Sequence, residues 1–134
     1  MTDAYALTRL LHAFDSCNWT AIRDCLADPV HLDYTSLWGG EPGPVALDAL
    51  IPQWQQFLKG FAATHHLTGP LSVSGDRGET HVTAHHWRSG TGTDFLVHGH
   101  YIARNAGGKI SELTLQTFHA SGDPDLPAIP AQRP

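Results

Sequence analysis

Ten histidines in 134 residues, several at the ends of apolar runs, are the most chemically suggestive feature of this sequence. Histidine exchanges its proton near neutral pH and binds metals, so where each ring points decides what it does. His65-His66 open one apolar segment, His85-His86 close another, and His98 and His100 share one face of a third. Asp15 follows Phe14 at the end of an apolar stretch, and Asp33-Tyr34 lie in another. A histidine in an apolar pocket, oriented by a buried carboxylate, can take up a proton and return it. A nearby tyrosine hydroxyl can polarise a carbonyl or hold water while enolate charge develops. Such parts suit α-proton abstraction, and through it dehydration, isomerisation or aldol-type cyclisation.

Each group also has a plainer role. Strand alternation sends one ring of each histidine pair inward and the other outward, so at most one of the pair serves a site. Asp15, in the run Asp15-Ser16-Cys17-Asn18, suits capping of the following helix equally well. His98 and His100 read first as solvent or subunit-interface residues. His98-Gly99-His100 is similar to the metal-binding His-x-His of cupins, but the carboxylate needed a few residues on is replaced by Arg104. Three histidines from separate strands remain a zinc or iron alternative that the spacing does not specify, and no metal is assigned. Phe14, Trp38, Trp54, Phe57, Phe95 and Tyr101 can wall a small apolar pocket, although ordinary core packing is the simpler role for most of them.

The elements that must position these groups follow from periodicity. Tyr5, Leu7, Leu10, Leu11 and Phe14 predict a helix from Asp3 to Ser16, with Thr2 or Asp3 as its cap. A second helix runs from Asn18 through Trp19, Ile22, Cys25 and Leu26 and stops near Asp28-Pro29. Cys17 and Cys25 fall in these helices and read as buried, reduced thiols. Val30 to Trp38 reads as a strand, with Val30, Leu32, Tyr34 and Ser36 on one face. Residues Gly39 to Pro44 read as a loop. A third helix carries Leu50, Trp54, Phe57, Leu58 and Phe61, with Pro52 in its first turn or at a kink. Four strand-like runs follow: Thr64–Ser74, Glu79–Arg88, Asp94–Arg104 and Lys109–His119. Gly75-Asp76, Ser89 to Gly92 and Ala106 to Gly108 separate them, the pattern of an antiparallel meander. Helices first and strands later predicts an α+β fold.

Composition sets the outer bounds. Hydrophobic residues make up 41% of the chain, enough for one core. No apolar run approaches the ~20 residues of a membrane-spanning helix, so no membrane partner is expected. The start, Met1 to Tyr5, lacks the features of a signal peptide, which predicts a cytoplasmic location. A net charge of −5 and the lack of a Lys/Arg cluster argue against nucleic acid. One domain over 1–122 is expected, followed by a proline-rich tail over 123–134, exposed or disordered.

Taken in order, these residues resemble a family. Phe14-Asp15-Ser16-Cys17-Asn18-Trp19, then Leu26, then His31 to Ser36, are similar to the opening of scytalone dehydratase-like and SnoaL-like polyketide-cyclase proteins. These belong to the nuclear-transport-factor-two-like superfamily. The run from Phe61 to Gly69, with Gly99-x-Tyr101, Lys109-Ile110 and Gly122, extends the resemblance over about residues 5 to 122. It implies a cone-shaped barrel, in which a strongly curved antiparallel sheet wraps around three helices and leaves a pocket at the open end. It also implies self-association as a dimer, or alternatively a trimer, and chemistry without metal or organic cofactor. In scytalone dehydratase water is eliminated from a hydroxylated bicyclic ketone. That enzyme's catalytic aspartate corresponds to Asp15, its strand tyrosine to Tyr34 and its first catalytic histidine to His66. Its second histidine falls on His86 or His85. Its other active-site tyrosine falls on Phe14, and its later Ser and Asn fall near Phe95 and Val97, so those polar groups are missing here.

Two functions are therefore expected as alternatives. The first is a lyase, isomerase or cyclase acting on a small apolar, oxygenated molecule, with His66 as general base and acid, Asp15 as its partner, Tyr34 as hydroxyl donor and His86 as a second acid–base group. The second is a non-catalytic ligand-binding or accessory domain on the same fold.

Overall fold

The apolar stripes resolve into four helices and seven strands among the described residues, 5–88 and 93–122 of a computed structural model. The expected Thr2/Asp3 cap, the turn at 89–92 and the tail over 123–134 lie outside them. In α1 (Ala6–Asp15), Leu7, Leu10, Leu11 and Phe14 form one buried stripe at helical spacing. Asn18 caps α2 (Trp19–Cys25), its side chain accepting the Ala21 N–H at 3.1 Å.

The two cysteines part company here. Cys25 is buried, but Cys17 is exposed and non-helical, with φ at 52°, because the chain must reverse between α1 and α2. The reading of both as buried helical thiols is corrected for Cys17.

β1 spans Leu26–Asp33, so it starts before Pro29, where the sequence suggested a helix end and a later strand. The strand tolerates Pro29 because its register with its neighbour is irregular between Leu26 and His31, and no regular ladder bond is asked of the proline. The expected strand also ends early: Thr35–Trp38 form a one-turn helix, α3. The Asp33 carboxylate accepts both the backbone N–H and the hydroxyl of Thr35, at 3.1 and 2.6 Å, and starts that turn. The Ser36 hydroxyl then donates to the Leu115 carbonyl at 2.6 Å and accepts the Thr117 N–H at 2.9 Å, which pins α3 to the sheet.

Part of the expected loop is a short strand, β2 (Gly43–Val45), paired with β1. α4 (Leu47–Lys59) buries Leu50, Ile51, Trp54 and Leu58 and holds Pro52 inside the helix, in its second turn. The run Thr64–Ser74 divides into β3 (Ala63–Thr68) and β4 (Ser72–Ser74) around Gly69-Pro70. β5 (Arg77–Trp87), β6 (Phe95–Ala106) and β7 (Lys109–Ser121) complete the meander.

The sheet runs β2-β1-β7-β6-β5-β3, with β4 beside β5. Every pairing is antiparallel except β1 with β7. This α+β sheet is strongly curved and unclosed, and its inner face packs on the helices. Alternation along β5 and β6 buries one row of side chains from each strand: Val82, Ala84 and His86, then Phe95, Val97 and Tyr101. Those rows form one wall of the cavity described next.

Candidate active site

Alternation decides between the paired histidines. The His65 side chain is 52% exposed, whereas that of His66 is 6% exposed and faces inward. His86 is buried at 5% and His85 lies on the opposite face, where its Nε2 meets Asp94 Oδ2 at 3.0 Å.

One cavity collects most of the expected groups. It has room for the centres of several water molecules, about 70 Å³. Phe14, Tyr34, Trp38, Trp54, Phe57 and Phe95 line it, together with His66, His86 and Tyr101. Trp38 and Phe95 stack with centroids 6.1 Å apart, and Phe95 stacks on His86 at 5.8 Å. Phe57 meets His86 edge-on at 4.9 Å, and Phe14 meets Trp54 edge-on at 4.7 Å.

Asp15 stands behind His66 rather than in the cavity wall. Its Oδ1 lies 2.6 Å from His66 Nδ1, and its Oδ2 accepts the His66 backbone N–H at 2.9 Å. Asp15 therefore does not cap α2; Asn18 does. Partial burial works to raise the Asp15 carboxyl, but the hydrogen bonds from the His66 ring and backbone, with the nearby imidazoles, hold it below the usual carboxylate range. An ionised carboxylate only accepts, so Nδ1 of His66 carries a hydrogen and Nε2 of the neutral ring carries the lone pair.

His86 is a different kind of group. Its Nδ1 lies 2.9 Å from the Thr64 hydroxyl, and its ring is 6.0 Å, edge-on, from that of His66. Burial first, then the repulsion that His66 exerts when protonated, push it down to about 3, against an upward pull from Asp15. It is neutral across the physiological range.

Tyr34 and Tyr101 meet with their hydroxyl oxygens 3.0 Å apart. Burial pushes Tyr34 well above the usual phenol range, and its neighbour Tyr101 adds to that. Burial also pushes Tyr101 up to about 12, with the Tyr34 hydrogen bond pulling it down and the Asp15 charge pushing it up.

Sequence reasoning did not see Tyr101 as the partner of Tyr34, nor Gln53, the amide that α4 places in the cavity wall. The gap of 67 residues hides the first, and an amide among polar helix residues gives no signal for the second. His98 and His100 lie away from the cavity, on the outer sheet face, near Thr83 and near His81 and Glu79 respectively. Among the described residues no group of three or more His, Cys, Asp or Glu is arranged to hold a metal. None of their helices is long and apolar enough to cross a membrane.

Comparison with known proteins follows the same lines. Residues 4–106 match the SnoaL-like domain. No match is found among curated proteins. Among solved structures, the Kfla4162 protein from Kribbella flavida is 26% identical, with a TM-score of 0.74 over 87% of this chain and 88% of its own. A Novosphingobium aromaticivorans protein, provisionally named a scytalone dehydratase, is 15% identical with a TM-score of 0.70, over 88% of this chain and 83% of its own. IdmH from Streptomyces antibioticus, provisionally a polyketide cyclase, is 20% identical with a TM-score of 0.65, over 84% and 89%. These neighbours share the cone-like fold.

Proposed function

The chain belongs to the SnoaL-like domain family of the nuclear-transport-factor-two-like superfamily, and on that footing we propose that it is a cofactor-independent lyase, isomerase or cyclase. The family and fold fit a protein that acts on or binds a small molecule. The proposed substrate is a small, apolar, oxygenated molecule held among the cavity aromatics.

The observation that carries this reading is the Asp15–His66 pair at 2.6 Å, with the ring at the cavity wall. His66 Nε2 takes a proton from the carbon beside the substrate carbonyl. The ionised Asp15 stabilises the imidazolium that forms and keeps the ring in register. The electron pair left behind moves onto the carbonyl oxygen, where the Tyr34–Tyr101 hydroxyls offer a hydrogen bond. His66 then returns the proton to another position, or to a departing hydroxyl. His86, being neutral, serves as a hydrogen-bonding wall group rather than as a store of protons.

The test is exchange of the α-protons of small aromatic and terpenoid ketones in D2O, followed by NMR. We expect exchange above background, reduced roughly 10²–10⁴-fold in His66→Gln. Ketones that bind without any exchange would instead support the ligand-binding reading, which the apolar Phe14 at the cavity favours.

Self-association as a dimer, rather than a trimer, completes the proposal. Leu67 and Phe118, 61% and 65% exposed, border a shallow groove on the outer face with His81 and His98. Both cysteines are free, which suits a reducing, cytoplasmic setting.

A further inference from the structure

The outer face of the sheet carries a histidine pair that the cavity does not use. His81 on β5 and His100 on β6 are direct cross-strand partners, so their side chains leave the sheet side by side. Their Nδ1 atoms are 3.4 Å apart, and the rings stand edge to face with centroids 4.7 Å apart. His81 is exposed and borders the shallow groove beside Leu67 and Phe118. The His100 side chain is 17% exposed, so an ion can reach both rings from solvent.

Two imidazole nitrogens placed like this have two uses. One ring can donate its Nδ1–H to the other, or both lone pairs can converge on a cation. Nitrogens ~2.0–2.1 Å from a tetrahedral zinc ion stand roughly 3.3–3.4 Å from each other. The observed separation matches that bite and is longer than the roughly 2.7–3.2 Å of an ordinary N–H···O bond. Glu79 favours the second use. Its Oε2 lies 3.4 Å from Nε2 of His100 and 3.0 Å from Nη2 of Arg77. A carboxylate beside Nε2 draws the hydrogen of the neutral ring to that side and leaves the lone pair on Nδ1, towards His81. Carboxylate, imidazole and metal in that order is the arrangement that orients a ligand ring and raises its basicity.

The neighbouring outer histidines do not join the pair. Nδ1 of His98 lies 3.0 Å from the Thr83 hydroxyl, and the His98 ring is 6.5 Å from that of His119. Among the described residues no third His, Cys, Asp or Glu completes a ligand set, which leaves the remaining positions to water.

We propose that His81 and His100 bind a divalent transition-metal ion, zinc or copper(II), through both Nδ1 atoms, with Glu79 behind His100 as a positioning residue. Imidazole suits these ions, whereas magnesium and calcium take oxygen ligands. The ion clips β5 to β6 from outside, on the reverse of the strands whose inner rows wall the cavity. The site is separate from the cavity and does not rest on the acid–base reading.

Zn2+ is the probe, titrated by calorimetry into the untagged, metal-free full chain and into His81→Gln, His100→Gln, Glu79→Gln and His98→Gln. Wild type should bind one zinc ion per chain, and Mg2+ should give no such heat. His81→Gln and His100→Gln should each abolish that binding. Glu79→Gln should weaken it about tenfold, the usual effect of removing a ligand's outer partner, and His98→Gln should leave it unchanged. Zinc should also raise the melting temperature of wild type but not of His81→Gln or His100→Gln. A wild type that takes up no zinc overturns the proposal, as does binding that survives either ligand substitution or that falls as far in His98→Gln. Imidazole 15N spectra of wild type identify the ligand atoms without any variant. Zinc must move Nδ1 of His81 and of His100, and ligation through Nε2 or at His66 and His86 overturns the assignment.

Discussion

Asp15 holds His66 twice, through the ring Nδ1 at 2.6 Å and through the backbone N–H at 2.9 Å. One carboxylate therefore fixes both the ring and the strand that carries it. Because β3 is the last strand in the sheet order, this clasp also ties the end of α1 to a sheet edge. The same carboxylate lies 3.6 Å from Nδ1 of the exposed His65.

Replacing Asp15 by Asn should separate catalysis from folding. The amide can still accept the His66 backbone N–H, but it offers N–H where the ring offers its own, and the ring must change tautomer or turn. Ketone exchange should fall about 10²-fold or more, while stability drops by only about 1–3 kcal/mol, read from urea unfolding.

The acid side of the stability curve should carry the signature of His86. The folded chain keeps this ring neutral down to about 3, whereas the unfolded chain protonates it near 6.5. The unfolded state then binds more protons in that window, so stability falls as pH falls through it, by up to about 1.4 kcal/mol per pH unit. Asp15, held low, adds a loss only at lower pH, as the carboxylate itself takes a proton. Chemical denaturation between pH 7 and 4 should show the slope in wild type and its loss in His86→Phe.

Much of this was legible because it is local. The α1 stripe and the start of α2 at Asn18 follow from spacing within a few residues, as does the rule that His65 and His66 face opposite ways. The choice of His66 came from the family resemblance. What was not legible depends on distant partners. Gly43–Val45 is a strand because β1 lies beside it, and Pro29 survives in a strand because the β1–β7 register slips there. The turn at Thr35 is set by the Asp33 side chain and by Ser36 reaching Leu115, 79 residues away. Tyr101 gains its meaning only from Tyr34.

Gly99 should resist even the smallest side chain. A Cβ there would stand 2.6 Å from the Gln116 carbonyl oxygen, where the β6–β7 register shifts between His98 and Gly99. The Gln116 backbone, with the Leu115 side chain 3.1 Å away, leaves little room to yield. Gly99→Ala should cost about 1–3 kcal/mol, seen as a lower midpoint in urea.

The outer face should govern assembly. Introducing charge by Phe118→Glu, next to Leu67 and the histidine groove, should convert a dimer to a monomer in light scattering while the ketone exchange persists. A dimer unchanged by this substitution would locate the contact elsewhere.

The parallel pairing of β1 with β7 has a consequence for the order of events during synthesis. The cavity residues end at Leu115, yet β7 must be in place before β1 can join the rest of the sheet through it, because among the described residues β1 is flanked by β7 and β2 alone. Tyr34 thus waits for nearly the whole chain to emerge before it can meet Tyr101. A nascent chain stalled after β6 would hold both tyrosines and both inward histidines but lack the strand that joins them. Closing so long a loop is slow compared with helix formation, so the site should appear last, in a single late step, rather than grow with the chain.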